Sequence, residues 1–294
     1  MKKLLLLILP AIAFFACKKI NLDGLGFPAT KTDMYLFDGY ADGDMNLPDS
    51  FTVDANNRTL VTMESIDAAT GQSYTIYGVY LGDTSTISTD TVILYLHGQS
   101  VHLDLYWDRA TLLANLGNKY NYGVFMIDYR GYGMSEGEPT EQGLYEDCQA
   151  AIDWLTNRGL TGDRAIYYGF SLGAIPAIDR AAYGSITPSK LIVEAPLASV
   201  ENLVHSSTLI NLDPGFVTTL EFPNAEKIKD VSAPFMWFHG TDDDYIEIEN
   251  GELIYANHPG VKTPVRVQNA MHGNIPDVMG IFNYMSTLET FIQN

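Results

Sequence analysis

From Thr91 onward the chain alternates short, unbroken apolar runs with longer stretches of helical spacing, and this alternation restricts the fold more than any other feature. TVILYLHG, YGVFMIDYRG, RAIYYGFS, SKLIVEAP, APFMWFHG and TPVRVQNA read as strands. Between them LYWDRATLLANLG, LYEDCQAAIDWLTNRG, LGAIPAIDRAAYG and GELIYANH read as helices, and IPDVMGIFNYMSTLETFIQ closes the chain as one more. Among them TVILYLHG is apolar without a break rather than at every second position, which suits a strand buried on both faces. Strands alternating with helices imply an α/β fold, with a mostly parallel sheet covered on both sides. Ahead of them TLVTMESI and SYTIYGVYL, separated by DAATGQ, read as an antiparallel hairpin. In such sheets the working residues gather on loops at the carboxyl ends of the strands.

Residues 1 to 16 have another character. Lys2 and Lys3 precede LLLLILPAIAFFA, which is too short to span a bilayer comfortably, and Cys17 follows at once. This reads as a bacterial export signal of lipoprotein type, with a lipid on Cys17 as the membrane anchor of an envelope protein. An ordinary secretory signal, cut after Ala11-Ile12-Ala13, is the other reading. Residues 17 to 56, rich in Asp, Gly and Pro, are expected to form a tether and an N-terminal strand region around MYLFDGY, and residues 57 to 294 a single domain. If Cys17 carries lipid, Cys148 has no partner for an intrachain disulfide, and its place in EDCQAAIDWL suits a small buried side chain. With 17 basic against 36 acidic residues the net charge is −19, which argues against nucleic acid as a partner and against electrostatic adhesion to anionic lipid.

RAIYYGFSLGAIPAIDR places Ser171 between Gly169 and Gly173 at a strand-to-helix turn, the context of a nucleophile elbow. The bare G-x-S-x-G pattern is common by chance, so its weight comes from the strand before it and the helix after it. The turn at the serine is strained and the helix packs close to its strand, so the glycines leave room that a Cβ would fill. Pro176, early in that helix, is tolerable in a first turn. Serine is a weak nucleophile without a base, and the base needs an acid to orient it; the three follow in the order serine, acid, histidine. His97 and His239 precede glycines at strand ends and read as structural. His102 and His205 come before any candidate acid, and His258 lies between a helix and a strand. His272, in NAMHGN after the last strand, faces the same edge as Ser171 and is the expected base. The acid is expected in HGTDDDYI, as Asp243 with Asp242 in reserve. Calcium is a rival use of three adjacent aspartates, but the ligand spacing of a calcium loop is absent. Two backbone N–H groups should receive the developing oxyanion, those of Leu172 and, in HGQS, of Gln99. Such chemistry needs no metal and no cofactor.

HGQS, DYRGYGMSEGEPTEQGLYEDCQAAIDWL, GFSLGA, FPNAEKIKDVSAPFMWFHGTDDDYI and NAMHGN together resemble an α/β-hydrolase, from about residue 58 to the end. The chain looks like the serine aminopeptidase-like subgroup and is similar to the membrane-associated depalmitoylating and lysophospholipid-cleaving α/β-hydrolase-domain proteins. The long DYRGYG-to-DWL stretch is far more specific than the pentapeptide. The resemblance implies the α/β-hydrolase fold with a short cap. In the family's H-G-x-x-D-x-x-V/I segment the acid is the fourth residue after the histidine, which maps to Asp243, with Ile246 closing the pattern. HGQS stands where an HG-N loop is usual; the donor there is a backbone N–H, so the change leaves it in place.

The expected function is that of a serine hydrolase, cleaving carboxylic esters or thioesters of small or lipid-like substrates through an acyl-enzyme on Ser171. A serine aminopeptidase is the second reading. It needs an acidic group for the substrate ammonium, and the candidate cap, about Ala198 to Glu221, holds only Glu201, Asp213 and Glu221 among mostly apolar or small residues. A non-catalytic lipoprotein that keeps the fold as a binding module is the third, and intact Ser171, Asp243 and His272 argue against it.

Overall fold

In β1 (Arg58–Ile66) Val61, Met63 and Ser65 are buried while Thr62, Glu64 and Ile66 are exposed, the alternation of a strand with one wet face. The computed structural model describes residues 27–202 and 218–294. β1 pairs antiparallel with β2 (Ser73–Leu81) across a turn where the Asp67 side chain accepts the N–H groups of Ala69 (3.0 Å) and Thr70 (2.8 Å). β3 (Val92–Leu96), β4 (Gly123–Ile127), β5 (Ala165–Phe170) and β7 (Phe235–Gly240) are buried at every position, and β6 (Lys190–Glu194) at all but its first. β8 (Lys262–Val267) is a half-buried edge. The sheet runs β1-β2-β4-β3-β5-β6-β7-β8, antiparallel at β1–β2 and β2–β4 and parallel from there on.

Successive residues of the central strands feed two cores. Leu94, Phe125, Tyr167, Val193 and Trp237 pack with α2 (Glu141–Thr156) and α3 (Ala174–Tyr183), and Cys148 lies fully buried among them. Ile93, Met126, Tyr168, Ile192 and Phe238 pack on the opposite face with α1 (Trp107–Ala114) and with the last helix. Each fully buried Leu, Ile or Phe contributes about 1.5–3 kcal/mol, so both faces are needed to hold the sheet. The later helices are α4 (Asn224–Lys227), α5 (Ile248–Asn257), α6 (Ile275–Met279) and α7 (Ile281–Gln293). Among the described residues no helix is long and apolar enough to cross a membrane.

Two expectations need correction. MYLFDGY is not a strand: Phe37–Gly39 is a single 3-10 turn, with Phe37 at φ 51°. The Asp104 carboxylate accepts the N–H groups of Leu36 (2.7 Å) and Phe37 (2.8 Å), so these donors are satisfied without a ladder partner. The described part of the supposed tether, residues 27–56, lies on the domain, with Phe27 in one core and Tyr35, Met45, Phe51 and Val53 in the other. The closing helix is also not continuous. It breaks between α6 and α7 at Gly280, whose φ of 77° only glycine adopts readily.

The ends of the candidate cap are tied together. Val200 N–H donates to Glu221 O (3.0 Å), and the Glu141 carboxylate accepts the N–H groups of Glu221 (2.8 Å) and Phe222 (3.1 Å). His205 and Asp213 lie outside the described residues, as do the expected signal and Cys17.

Candidate active site

Because β5 runs parallel to its neighbours, its carboxyl end opens on the same edge as those of β3, β7 and β8. There the chain turns sharply. Ser171 sits at φ 50°, a conformation costly for any residue but glycine, and leads through the 3-10 turn Ser171–Gly173 into α3. The close packing expected of the two glycines is present. A Cβ on Gly173 would run into the carbonyl of Leu96 in β3, and one on Gly169 into the carbonyl of Gly173. Pro176 falls in the first turn of α3, where its missing N–H is not required.

His272 follows β8 and sits between the other two groups. The Ser171 hydroxyl donates to His272 Nε2 (2.8 Å), and His272 Nδ1–H donates to Asp243 Oδ2 (2.8 Å). A carboxylate can only accept here, so the proton is on Nδ1 and the Nε2 lone pair faces the serine. Asp243 comes from the loop after β7, and its Oδ1 accepts the N–H groups of Tyr245 (3.0 Å) and Ile246 (2.9 Å). Of the three aspartates, Asp243 is the one bonded to His272 and is buried, while Asp242 and Asp244 are exposed. Burial alone would raise the Asp243 carboxyl. The hydrogen bonds from His239 and His272 and the Ile246 N–H outweigh that and hold it well below the usual carboxylate range.

The histidines set aside from the sequence have other partners. Trp237 Nε1–H donates to His239 Nδ1 (3.2 Å), which leaves the His239 proton on Nε2, aimed at Ile246 O (2.8 Å) with Asp243 Oδ2 at 3.3 Å. His239 therefore supports the acid loop. His97 lies against Asp128 (3.0 Å), His102 is buried beside Asp104, and His258 Nε2 bonds Ala233 O (3.0 Å).

Gln99 follows β3, which is hydrogen-bonded to β5 with Leu96 opposite Gly169, so the loops after the two strands lie side by side. Its carbonyl accepts from Tyr106 OH, His97 O accepts from Tyr129 OH (2.9 Å), and Asp128 Oδ1 accepts Leu103 N–H (2.8 Å). This grip holds two non-glycine residues at positive φ, Ser100 at 75° and Val101 at 37°, the kind of strain that persists only where the surroundings impose it. Leu172 lies in the first turn of a helical segment, where N–H groups have no intrahelical acceptor.

Two features had no signal in the sequence. Arg109, a buried residue of α1, donates to Gly273 O (2.7 Å) beside His272 and to Glu194 Oε1 (2.8 Å), pairs with Asp44, and covers the Phe170 ring at 4.2 Å. It fixes the histidine loop from below. The Tyr245 ring, 5.0 Å from the His272 ring, receives the Gln99 side-chain amide at its hydroxyl. Among the described residues no group of three or more His, Cys, Asp or Glu side chains is placed to hold a metal ion.

Residues 93–248 match the family model described as the alpha/beta hydrolase family. The chain is 34% identical over 204 residues to alpha/beta hydrolase domain-containing protein aho-3 of Caenorhabditis elegans, covering 68% of this chain and 57% of that protein. It is 31% identical over 209 residues to alpha/beta hydrolase domain-containing protein 17C of Xenopus tropicalis, covering 69% and 61%. The match therefore spans somewhat over half the length of these relatives. Among solved structures, an esterase of Pyrococcus furiosus superposes with a TM-score of 0.65 at 17% identity, covering 94% of this chain and 97% of that one. An acylaminoacyl peptidase of Pyrococcus horikoshii gives a TM-score of 0.59 at 14% identity, covering 80% and 40%. At such identities the likeness is one of fold, and it includes proteins named for ester and for peptide chemistry alike.

Proposed function

The chain belongs to the alpha/beta hydrolase family, and from that premise we propose that it is a serine hydrolase cleaving carboxylic esters or thioesters through an acyl-enzyme. The observation that carries this is the unbroken hydrogen-bond chain from Ser171 through His272 to Asp243. Ser171 Oγ attacks the substrate carbonyl while its proton passes to His272 Nε2. The imidazolium that forms is stabilised by Asp243, which stays ionised. The N–H groups of Gln99 and Leu172 receive the oxyanion, and one such donor is worth roughly 3 kcal/mol in the transition state. His272 then protonates the leaving group, and water, deprotonated by the same nitrogen, releases the acid.

A peptidase is the second reading, and an acidic cleft supports it. Asp38, Asp44, Asp108 and Asp277 line a cleft beside the histidine loop, to which Arg109 links Asp44, and such a cleft would suit a substrate ammonium. The mostly apolar cap sequence favours the ester reading. Export, with lipidation of Cys17 as a membrane anchor, belongs to the same proposal and rests on residues 1–17 of the sequence alone. The test is hydrolysis of p-nitrophenyl esters of graded chain length beside an aminoacyl-anilide, with Ser171→Ala as control. Serine-dependent cleavage of the esters is expected; cleavage of the anilide alone would transfer the proposal to the peptidase.

A further inference from the structure

We infer that Tyr245 and the side chain of Gln99 form a displaceable bar across the mouth of the site, which makes Tyr245 the residue that limits the size of the group seated over Ser171. The inference rests on the proposed hydrolase reading and deepens it toward substrate choice.

The bar follows from the order of the strands. Tyr245 is on the loop after β7 and Gln99 on the loop after β3, and β5 and β6 lie between them. Three strand spacings of about 4.8 Å put these loops roughly 14 Å apart. The Gln99 amide nevertheless donates to the Tyr245 hydroxyl, so the two side chains together cross the end of β5, where Ser171 sits. The phenol ring lies 5.0 Å from the His272 ring, and Ser171 is only 3% exposed while Tyr245 is 53% exposed. The phenol ring therefore stands in water beside the base that Ser171 bonds.

Both ends of the bar are fixed at the backbone and free at the side chain. The Tyr245 N–H is held by Asp243 Oδ1 (3.0 Å), and the Gln99 carbonyl by the Tyr106 hydroxyl. Swinging the phenol aside exchanges one amide–phenol hydrogen bond for bonds to water and leaves in place the Gln99 backbone, whose N–H the proposed mechanism assigns to the oxyanion. A narrow acyl group can pass beneath the closed bar, whereas a long or branched one must displace it.

The experiment compares kcat/KM for a short-chain and a long-chain p-nitrophenyl ester in the unaltered protein, Tyr245→Phe and Tyr245→Ala, with Ser171→Ala as the blank and melting temperature as a check on folding. Tyr245→Ala should raise the long-to-short ratio by about tenfold or more, the scale set by one steric contact in a specificity pocket. Tyr245→Phe, which loses the hydroxyl but keeps the ring, should raise it less. An unchanged ratio in both variants overturns the inference, and a lowered ratio overturns it too, because Tyr245 would then be an attractive wall for the chain. Turnover that survives Ser171→Ala would instead overturn the hydrolase proposal and the inference with it.

Discussion

At the scale of single residues, the proposed chemistry depends on which hydrogen bonds His272 makes. Ser171→Ala should lower turnover roughly a millionfold, by analogy with other triads, and leave folding intact, since among the described residues the hydroxyl bonds only His272 Nε2. Asp243→Asn should cost roughly ten-thousandfold by releasing the imidazole into the wrong tautomer. Asp242→Asn should cost little, because that side chain is exposed and its backbone N–H, which pairs with Ala270 O (3.0 Å), is retained. Comparing kcat/KM of the two asparagine variants checks the register directly. The stability that Asp243 gains from its lowered carboxyl is fully present above about pH 4, the range of an unperturbed aspartate, and is lost only as pH falls below it. An acid limb in the rate above that pH therefore belongs to another group.

At the scale of elements, the elbow and the closing helices carry backbone constraints that substitution can expose. Gly173→Ala places a methyl against the carbonyl of Leu96 and should destabilise by about 1–3 kcal/mol in urea unfolding. It should also cut activity, because Leu96 leads directly into Gln99. Gly280→Ala should cost about 1–3 kcal/mol from its positive φ and leave activity unchanged, since it lies at the α6–α7 break. These two glycines show what was legible. Gly173 sat in a recognisable turn and its tight packing was expected, whereas Gly280 interrupts a stretch whose apolar spacing runs on through the break. MYLFDGY misled for a related reason: its apolar and aromatic residues suit a strand, but the Asp104 carboxylate claims the Leu36 and Phe37 N–H groups from 68 and 67 residues away. Ser171, Asp243 and His272 could be picked out because each lies in a short local motif. The Gln99–Tyr245 and Arg109–Gly273 contacts join residues 146 and 164 apart and leave no local trace.

At the scale of the whole molecule, an excess of acid is concentrated where the N-terminal stretch crosses the domain. Asp108 is pushed up to about 6, by burial first and then by Asp44 and Asp38. An acid with a raised folded pKa holds its proton more tightly folded than unfolded, so its effect is a loss of stability as pH rises from about 4 to about 6. Asp108→Asn should therefore stabilise the protein by about 1 kcal/mol at pH 7, after allowance for screening at a half-buried site, and by nothing near pH 3; thermal unfolding at the two pH values checks it. Phe27, Tyr35, Met45, Phe51 and Val53 bind the same stretch into both cores, so it belongs to the folded unit that presents the site. The proposed chemistry stands on acylation of Ser171. The most direct measurement is mass spectrometry of the protein acid-quenched during turnover of a p-nitrophenyl ester. An acyl mass on the peptide carrying Ser171, absent in Ser171→Ala, is the predicted result; turnover with that peptide unmodified, or with the acyl group on another residue, would contradict it.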